Sequence, residues 1–167
     1  MNVNELLTDS YGRLPDLVRS AVEGLTPEQL RWAPADGANT IGWLVWHLAR
    51  IQDLQIADVL DEDQIYVAGD WGARFGLKSD ASDHGYGHTP AQVAGVHPES
   101  DRALVEYYDA VHARTLAYLG GLSAEDLDRV VDENWDPPVT LGVRLISVDD
   151  DCKEHAGQAN YVRGLLP

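Results

Sequence analysis

Four stretches of this chain repeat their apolar residues at the three- and four-residue spacing of an amphipathic helix, and that recurrence restricts the folds open to it more than any other feature. The clearest is the second. Asn39-Thr40 supplies its cap, and Ile41, Leu44, Val45, Leu48, Ile51 and Gln52 mark an inward stripe that reaches about Leu60. The first stretch covers roughly residues 3–23 through Leu6, Leu7, Leu14, Leu17, Val18 and Ala21, with Pro15 placed to kink or divide it and Gly24 to end it. Ser100-Asp101 opens the third, which carries Leu104, Val105, Tyr108, Val111, Leu116 and Leu119 to a Gly120-Gly121 stop. After Pro137-Pro138, Thr140 caps the fourth, which runs to Arg163-Gly164. Thr26-Pro27-Glu28-Gln29 and Thr89-Pro90-Ala91-Gln92 each read as a threonine cap, a proline at the first helical position and a glutamine at the third, and so start short helices. Strand signals are weak, the best being the short run Ile65 to Ala68. The expected fold is therefore all-α: a four-helix bundle with one long crossover between helices two and three.

The crossover, residues 61–98, is rich in Gly and Asp with scattered aromatics, and includes Gly85-Tyr86-Gly87-His88. A connection this long with so little periodicity points to function more than to an inert linker. The 167 residues suit one domain, 1–167, with a real core. A formal net charge of −16, from 28 acidic against 12 basic side chains, repels phosphate backbones and anionic headgroups, so neither nucleic-acid nor membrane partners are expected. Cys152 is the lone cysteine, so no intrachain disulfide can form, and Met1 to Leu7 shows neither the basic nor the apolar region of a signal peptide. With no run long enough to span a membrane, the expected location is the cytoplasm.

A faint internal repeat is also present. Gly24-Leu-Thr-Pro-Glu-Gln-Leu resembles Gly121-Leu-Ser-Ala-Glu-Asp-Leu, and Thr40-Ile-Gly resembles Thr140-Leu-Gly. The overlay sets His47 on Ser147 and Gln55 on His155, which would make helices two and four pseudo-equivalent across one interior.

Chemistry concentrates at three residues. Asp151 and His155 lie one helical turn apart on one face, a spacing at which a carboxylate and an imidazole can grip one cation. His47 stands in the apolar stretch Gly42-Trp43-Leu44-Val45-Trp46-His47-Leu48, where its ring nitrogens need partners that a metal could supply. Two imidazoles and one carboxylate leave coordination positions open, as catalytic sites do. Spacing alone leaves other readings open: a hydrogen-bonded core histidine, a surface Asp/His pair, and an Asp149-Asp150-Asp151 run that is a solvated acidic face.

The segments Asn39-Thr-Ile-Gly-Trp-Leu-Val-Trp-His-Leu-Ala-Arg-Ile-Gln-Asp53 and His155-Ala-Gly-Gln-Ala-Asn-Tyr-Val-Arg-Gly164 resemble two signatures of the DinB-like superfamily, including the mycothiol-dependent maleylpyruvate isomerase-like proteins of actinobacteria. The resemblance extends over the chain, crossover included, with Trp71-Gly-Ala-Arg-Phe-Gly and Gly85-Tyr-Gly-His-Thr89. It implies a four-helix bundle, commonly a homodimer, with a metal held by one histidine on helix two and a His-x-x-x-His pair on helix four. Those positions fall on His47, Asp151 and His155, so the first histidine of the pair is a carboxylate here. Carboxylates ligate Zn²⁺ and Ni²⁺ acceptably, and Zn²⁺, Ni²⁺ and Fe²⁺ all stay open.

The function implied is a metal-dependent thiol S-transferase, or a related hydrolase or isomerase, in which the cation activates a low-molecular-weight thiol such as mycothiol, or water, toward a small-molecule substrate. His88 is the candidate to act beside the metal, and Tyr86, Trp71 and Arg74 are candidates to line the pocket mouth. Glu154 and Gln158 are placed to orient ligands. Cys152 neighbours Asp151 and so points about 100° away from the ligand face. Two alternatives stand beside the enzyme: a non-catalytic dimeric bundle binding a small molecule or metal, and a plain structural bundle with a polar core cluster. Trp43 and Tyr161, expected on exposed faces, are compatible with a dimer. The superfamily's name derives from a DNA-damage-inducible gene, but this chain has neither a basic stripe nor a recognition helix.

Overall fold

The computed structural model describes residues 1–167. Its helices are α1 (Val3–Gly12), α2 (Leu14–Val22), α3 (Pro27–Leu30), α4 (Ile41–Leu60), α5 (Ile65–Ala68), α6 (Pro90–Ala94), α7 (Asp101–Gly120) and α8 (Leu141–Gly164). The α1–α2 pair, α4, α7 and α8 form the bundle. Pro15 divides the first bundle helix, because without an N–H it cannot bond one turn back. Caps act where the threonines and serines stand: Thr40 accepts from the Trp43 N–H, Ser100 from Ala103 and Thr140 from Val143.

Residues Ile41 through Arg50 of α4 are buried without a break, more than a helix covered on one face alone can be. The reason is the crossover, which folds back over the side of α4 that a bare bundle would leave wet. Trp43, expected on an exposed face, is therefore only 6% exposed, while Tyr161 on α8 is 71% exposed. On its other sides α4 meets α7 through Gln52 Nε2 donating to Thr115 Oγ1 at 2.8 Å, and α8 through Cys152 Sγ against the Leu48 carbonyl at 3.5 Å. The Tyr11 hydroxyl ties α1 to α8 by donating to the Leu145 carbonyl.

Two local outcomes differ from the sequence expectation. Ile65 to Ala68, the best strand candidate, is the short helix α5. The Asp53 carboxylate accepts from the Ile65 and Tyr66 N–H groups at 3.0 and 2.8 Å, satisfying the free donors of a helix start from a residue on another element. The chain does form a small antiparallel pair, Val130–Asp132 (β1) with Val139–Thr140 (β2), which precedes α8 and closes one end of the α4–α8 seam. No helix is long and apolar enough to cross a membrane.

Candidate metal centre

His47 on α4 meets Asp151 and His155 on α8, and one donor atom from each lies within 4.8 Å of the others. The imidazoles stand edge to face with centroids 4.8 Å apart, and Nε2 of His155 is 3.6 Å from Oδ1 of Asp151. Two donors bonded to one ion at about 2.1 Å each stand no more than about 4.2 Å apart, so loading a metal contracts the widest pair by at least ~0.6 Å. Side-chain rotation on fixed helices covers that distance.

Each histidine has one nitrogen committed elsewhere. Nδ1 of His47 donates to the His84 carbonyl at 2.6 Å, and Nδ1 of His155 bonds Oε1 of Gln158 at 2.9 Å. Both Nε2 atoms are thereby left as lone-pair donors toward the centre. The Trp43 indole stacks on the His47 ring at 4.6 Å and 13°, which fixes the ring plane. Burial draws the His47 pKa down to about 4, despite the opposing hydrogen bond to His84, so the ring is neutral and able to ligate at ordinary pH.

Asp151 carries the clearest sign of a missing partner. Its Oδ2 is buried and makes no hydrogen bond. Burial raises the carboxyl pKa, with the His155 ring opposing and Glu154 and Asp150 reinforcing. A carboxylate with one oxygen buried and unpartnered, beside two imidazole lone pairs, is costly alone and suits a cation. The residues present therefore fit a divalent metal.

The other candidates are placed differently. His88 lies one layer out: its Nδ1 accepts from the Trp43 indole N–H at 3.1 Å and its Nε2 meets Asp83 Oδ1 at 2.9 Å. Both nitrogens are occupied, and His88 braces Trp43 where a residue presented beside the metal was expected. Trp71 and Arg74 do not join the centre. Trp71 packs on Tyr107 at 5.3 Å, and Arg74 lies over the Trp71 ring while pairing with Glu99 and Glu106, because the 3₁₀ turn Trp71–Phe75 docks against α7. Tyr86 points outward and is 85% exposed. Glu154 is exposed. Cys152 is fully buried, and desolvation, reinforced by Asp151 and Asp149, pushes its thiol pKa well up.

A groove of about 430 Å³ along the α4–α8 seam touches the centre at Asp151 alone and is lined further by Ile51, Gln55, Arg144, Ser147 and Trp135. In the overlay of the internal repeat Ser147 stands for His47 and Gln55 for His155, and both line this groove. There the guanidinium of Arg144 bonds Gln55 and pairs with Asp132 and Asp58. A larger cavity of about 560 Å³, lined by Leu60, Arg114 and Tyr118, lies toward the far end of α4 and takes no part in the centre.

Four residues outside the sequence candidates shape the site: Arg50, Asp53, His84 and Gly85. A charged pair at i, i+3 next to the apolar first half of that helix was the available signal for the first two. Nothing in the sequence marks which carbonyl will meet His47.

Fold and donor set together define a class: helical bundles with a candidate centre of two histidines and one carboxylate between two long helices. The chain belongs to the DinB superfamily, whose family model matches residues 11–159. It is similar to a conserved protein from Enterococcus faecalis, whose crystal structure superposes with a TM-score of 0.90 at 34% identity, over 99% of this chain and 97% of that one. No curated protein matches the chain.

Proposed function

We propose that this protein is a metal-dependent enzyme that transfers a low-molecular-weight thiol to a small electrophile, or performs a related hydrolysis or isomerisation, on the pattern of the mycothiol-dependent maleylpyruvate isomerase-like proteins. The observation that carries this reading is the unpartnered, buried Oδ2 of Asp151 beside two histidines whose outer nitrogens are already committed. A divalent cation there, Zn²⁺, Ni²⁺ or Fe²⁺, would supply Lewis acidity that lowers the pKa of a thiol or water reaching an open position.

The chain's own residues have separate tasks in this reading. His47, Asp151 and His155 hold the ion, while His84 and Gln158 orient the two imidazoles. The groove beyond Asp151 offers room for the organic reactant, at the low end of ordinary small-molecule sites. Cys152 supplies no nucleophile, so the thiol comes from outside. We further propose that the protein acts as a homodimer in the cytoplasm. Exposed Ile146, Val143 and Tyr161 on α8 support an apolar contact between copies, and the single reduced cysteine agrees with that compartment.

A second reading, a non-catalytic dimeric bundle that binds a metal or small molecule, is favoured by the occupation of both ring nitrogens of His88, which removes that residue as a free acid–base group beside the centre. One experiment separates the two. Purified protein is assayed for bound metal, then screened with mycothiol-type thiols and electrophiles with and without chelator. Turnover that vanishes on chelation supports the enzyme; stoichiometric metal without turnover supports the binder. A protein that takes up no divalent ion even when supplied sinks the enzyme and the metal-binding form of the second reading, leaving only a small-molecule binder.

A further inference from the structure

We infer that Arg50 is a positioning residue for the metal centre: by clamping the crossover onto α4 it aims the His84 carbonyl at His47 and so selects the tautomer that presents Nε2 to the ion. This rests on the metal-centre reading above.

Arg50 is fully buried, one turn beyond His47 on α4. A guanidinium is normally buried to pair with a carboxylate, yet the nearest one, Asp53 at 3.5 Å, receives no hydrogen bond from it. Nη1 reaches the Tyr107 hydroxyl on α7 at 3.4 Å, and the other donors go to the crossover. Nε bonds the Asp83 carbonyl at 3.0 Å, and Nη2 reaches the Asp80 and Ala81 carbonyls at 3.3 Å each and Gln64 Oε1 at 2.8 Å. Its carbon lies 4.0 Å over the Tyr66 ring. Gln64 repeats the grip by donating to the Ala81 carbonyl. These contacts end at Asp83, and the next carbonyl along the chain, that of His84, is the one that accepts from His47.

The following residue confirms how closely the segment is held. Gly85 has φ +94°, and a Cβ there would stand 2.6 Å from Nδ1 of His47 and 3.0 Å from Trp46. The backbone is pressed against the imidazole itself, so an ångström of drift at residues 80–84 would break the bond to Nδ1. A neutral histidine freed from that acceptor divides between tautomers, and only one of them offers a lone pair on Nε2. A lysine could keep the charge of Arg50 but not bond three carbonyls and an amide together.

The test compares the wild type with Arg50→Lys. In metal-free protein a long-range ¹H–¹⁵N correlation spectrum reads the His47 tautomer; in parallel, Zn²⁺ affinity is measured by competition with a chromophoric chelator. We expect a folded variant whose His47 changes from one tautomer, with hydrogen on Nδ1, to a mixture, and whose Zn²⁺ affinity falls tenfold or more. A folded Arg50→Lys protein with the wild-type tautomer and an affinity within twofold overturns the proposal. Should that variant not fold, Gln64→Ala decides by the same spectrum, since it loosens the clamp from a partly exposed residue: a mixed tautomer supports the proposal and an unchanged one rejects it. The tautomer is read without metal, so failure here is distinct from a wild type that binds no ion.

Discussion

Asp151 and His155 stand one turn apart on α8 with Oδ1 and Nε2 separated by 3.6 Å, while the other carboxylate oxygen of Asp151 is buried without a partner. The pair is thus poised and incomplete. Asp53, buried elsewhere, on α4, has both oxygens satisfied by contrast.

Asp151 therefore costs the metal-free fold and serves the loaded one. Asp151→Asn removes the desolvated charge while keeping the shape. Metal-free, the variant should be as stable as the wild type or more so by up to about 1 kcal/mol in urea unfolding. Its thermal stabilisation by added Zn²⁺ or Ni²⁺ should disappear. Asp151→His, which restores the histidine pair the superfamily resemblance implies, should bind Ni²⁺ more tightly than the wild type. Equal metal-induced shifts in wild type and Asp151→Asn would remove Asp151 from the centre.

His47 predicts the sign of a pH effect. Its pKa is about 4 in the folded protein, lowered first by burial, against an ordinary 6.5. Between those values the unfolded chain binds more protons than the folded one, so this residue makes stability fall as pH drops from about 6.5 toward 4. His47→Asn, whose amide can still donate to the His84 carbonyl, should flatten that slope. Urea midpoints of metal-free protein at pH 5 and pH 7 measure it; an identical pH 5 to pH 7 difference in both proteins would show that His47 is not the source.

Asp53 tests what holds the crossover down. It accepts from two N–H groups at the start of α5, from the Tyr107 hydroxyl at 2.9 Å and from Arg114 at 2.6 Å, all while fully buried. Asp53→Ala strands those donors and leaves Arg50 without a nearby counter-charge. The expected loss is about 3–5 kcal/mol, the usual result of breaking a buried pair from one side. Limited proteolysis of the same variant should cut first within residues 61–98. A loss under about 1 kcal/mol would mean the crossover is held by apolar packing instead.

Cys152 should be inert. Its thiol is enclosed against the Leu48 carbonyl and its pKa is pushed up by burial. A thiol-specific chromogenic reagent should give no reaction in native protein and one equivalent in denaturant. If a Cys152→Ala variant that remains folded loses turnover with an external thiol, the assignment of the nucleophile to the cosubstrate is wrong.

Much of the bundle was legible in the linear chain because its causes are local. Thr40, Ser100 and Thr140 cap helices through their own next turns, and Pro15 breaks one through the N–H it lacks. The 151/155 pair follows from helical geometry alone. The helix at Ile65–Ala68 was not legible for the opposite reason: its first N–H groups are satisfied by Asp53, twelve and thirteen residues upstream, and no local pattern reports that. Trp71 and Arg74 had the right chemistry for a pocket mouth, but their direction depends on how the 3₁₀ turn docks on α7.

The sequence by itself thus determined the four long helical stretches, the crossover's bounds and three donors on two of those helices, since periodicity and capping act within a few residues. Tertiary structure decided that His47 faces Asp151 and His155, that one oxygen of Asp151 is left unpartnered, and that His88 braces Trp43. Each of these depends on a contact between segments far apart in the chain, where burial, and not spacing, sets which polar groups find partners.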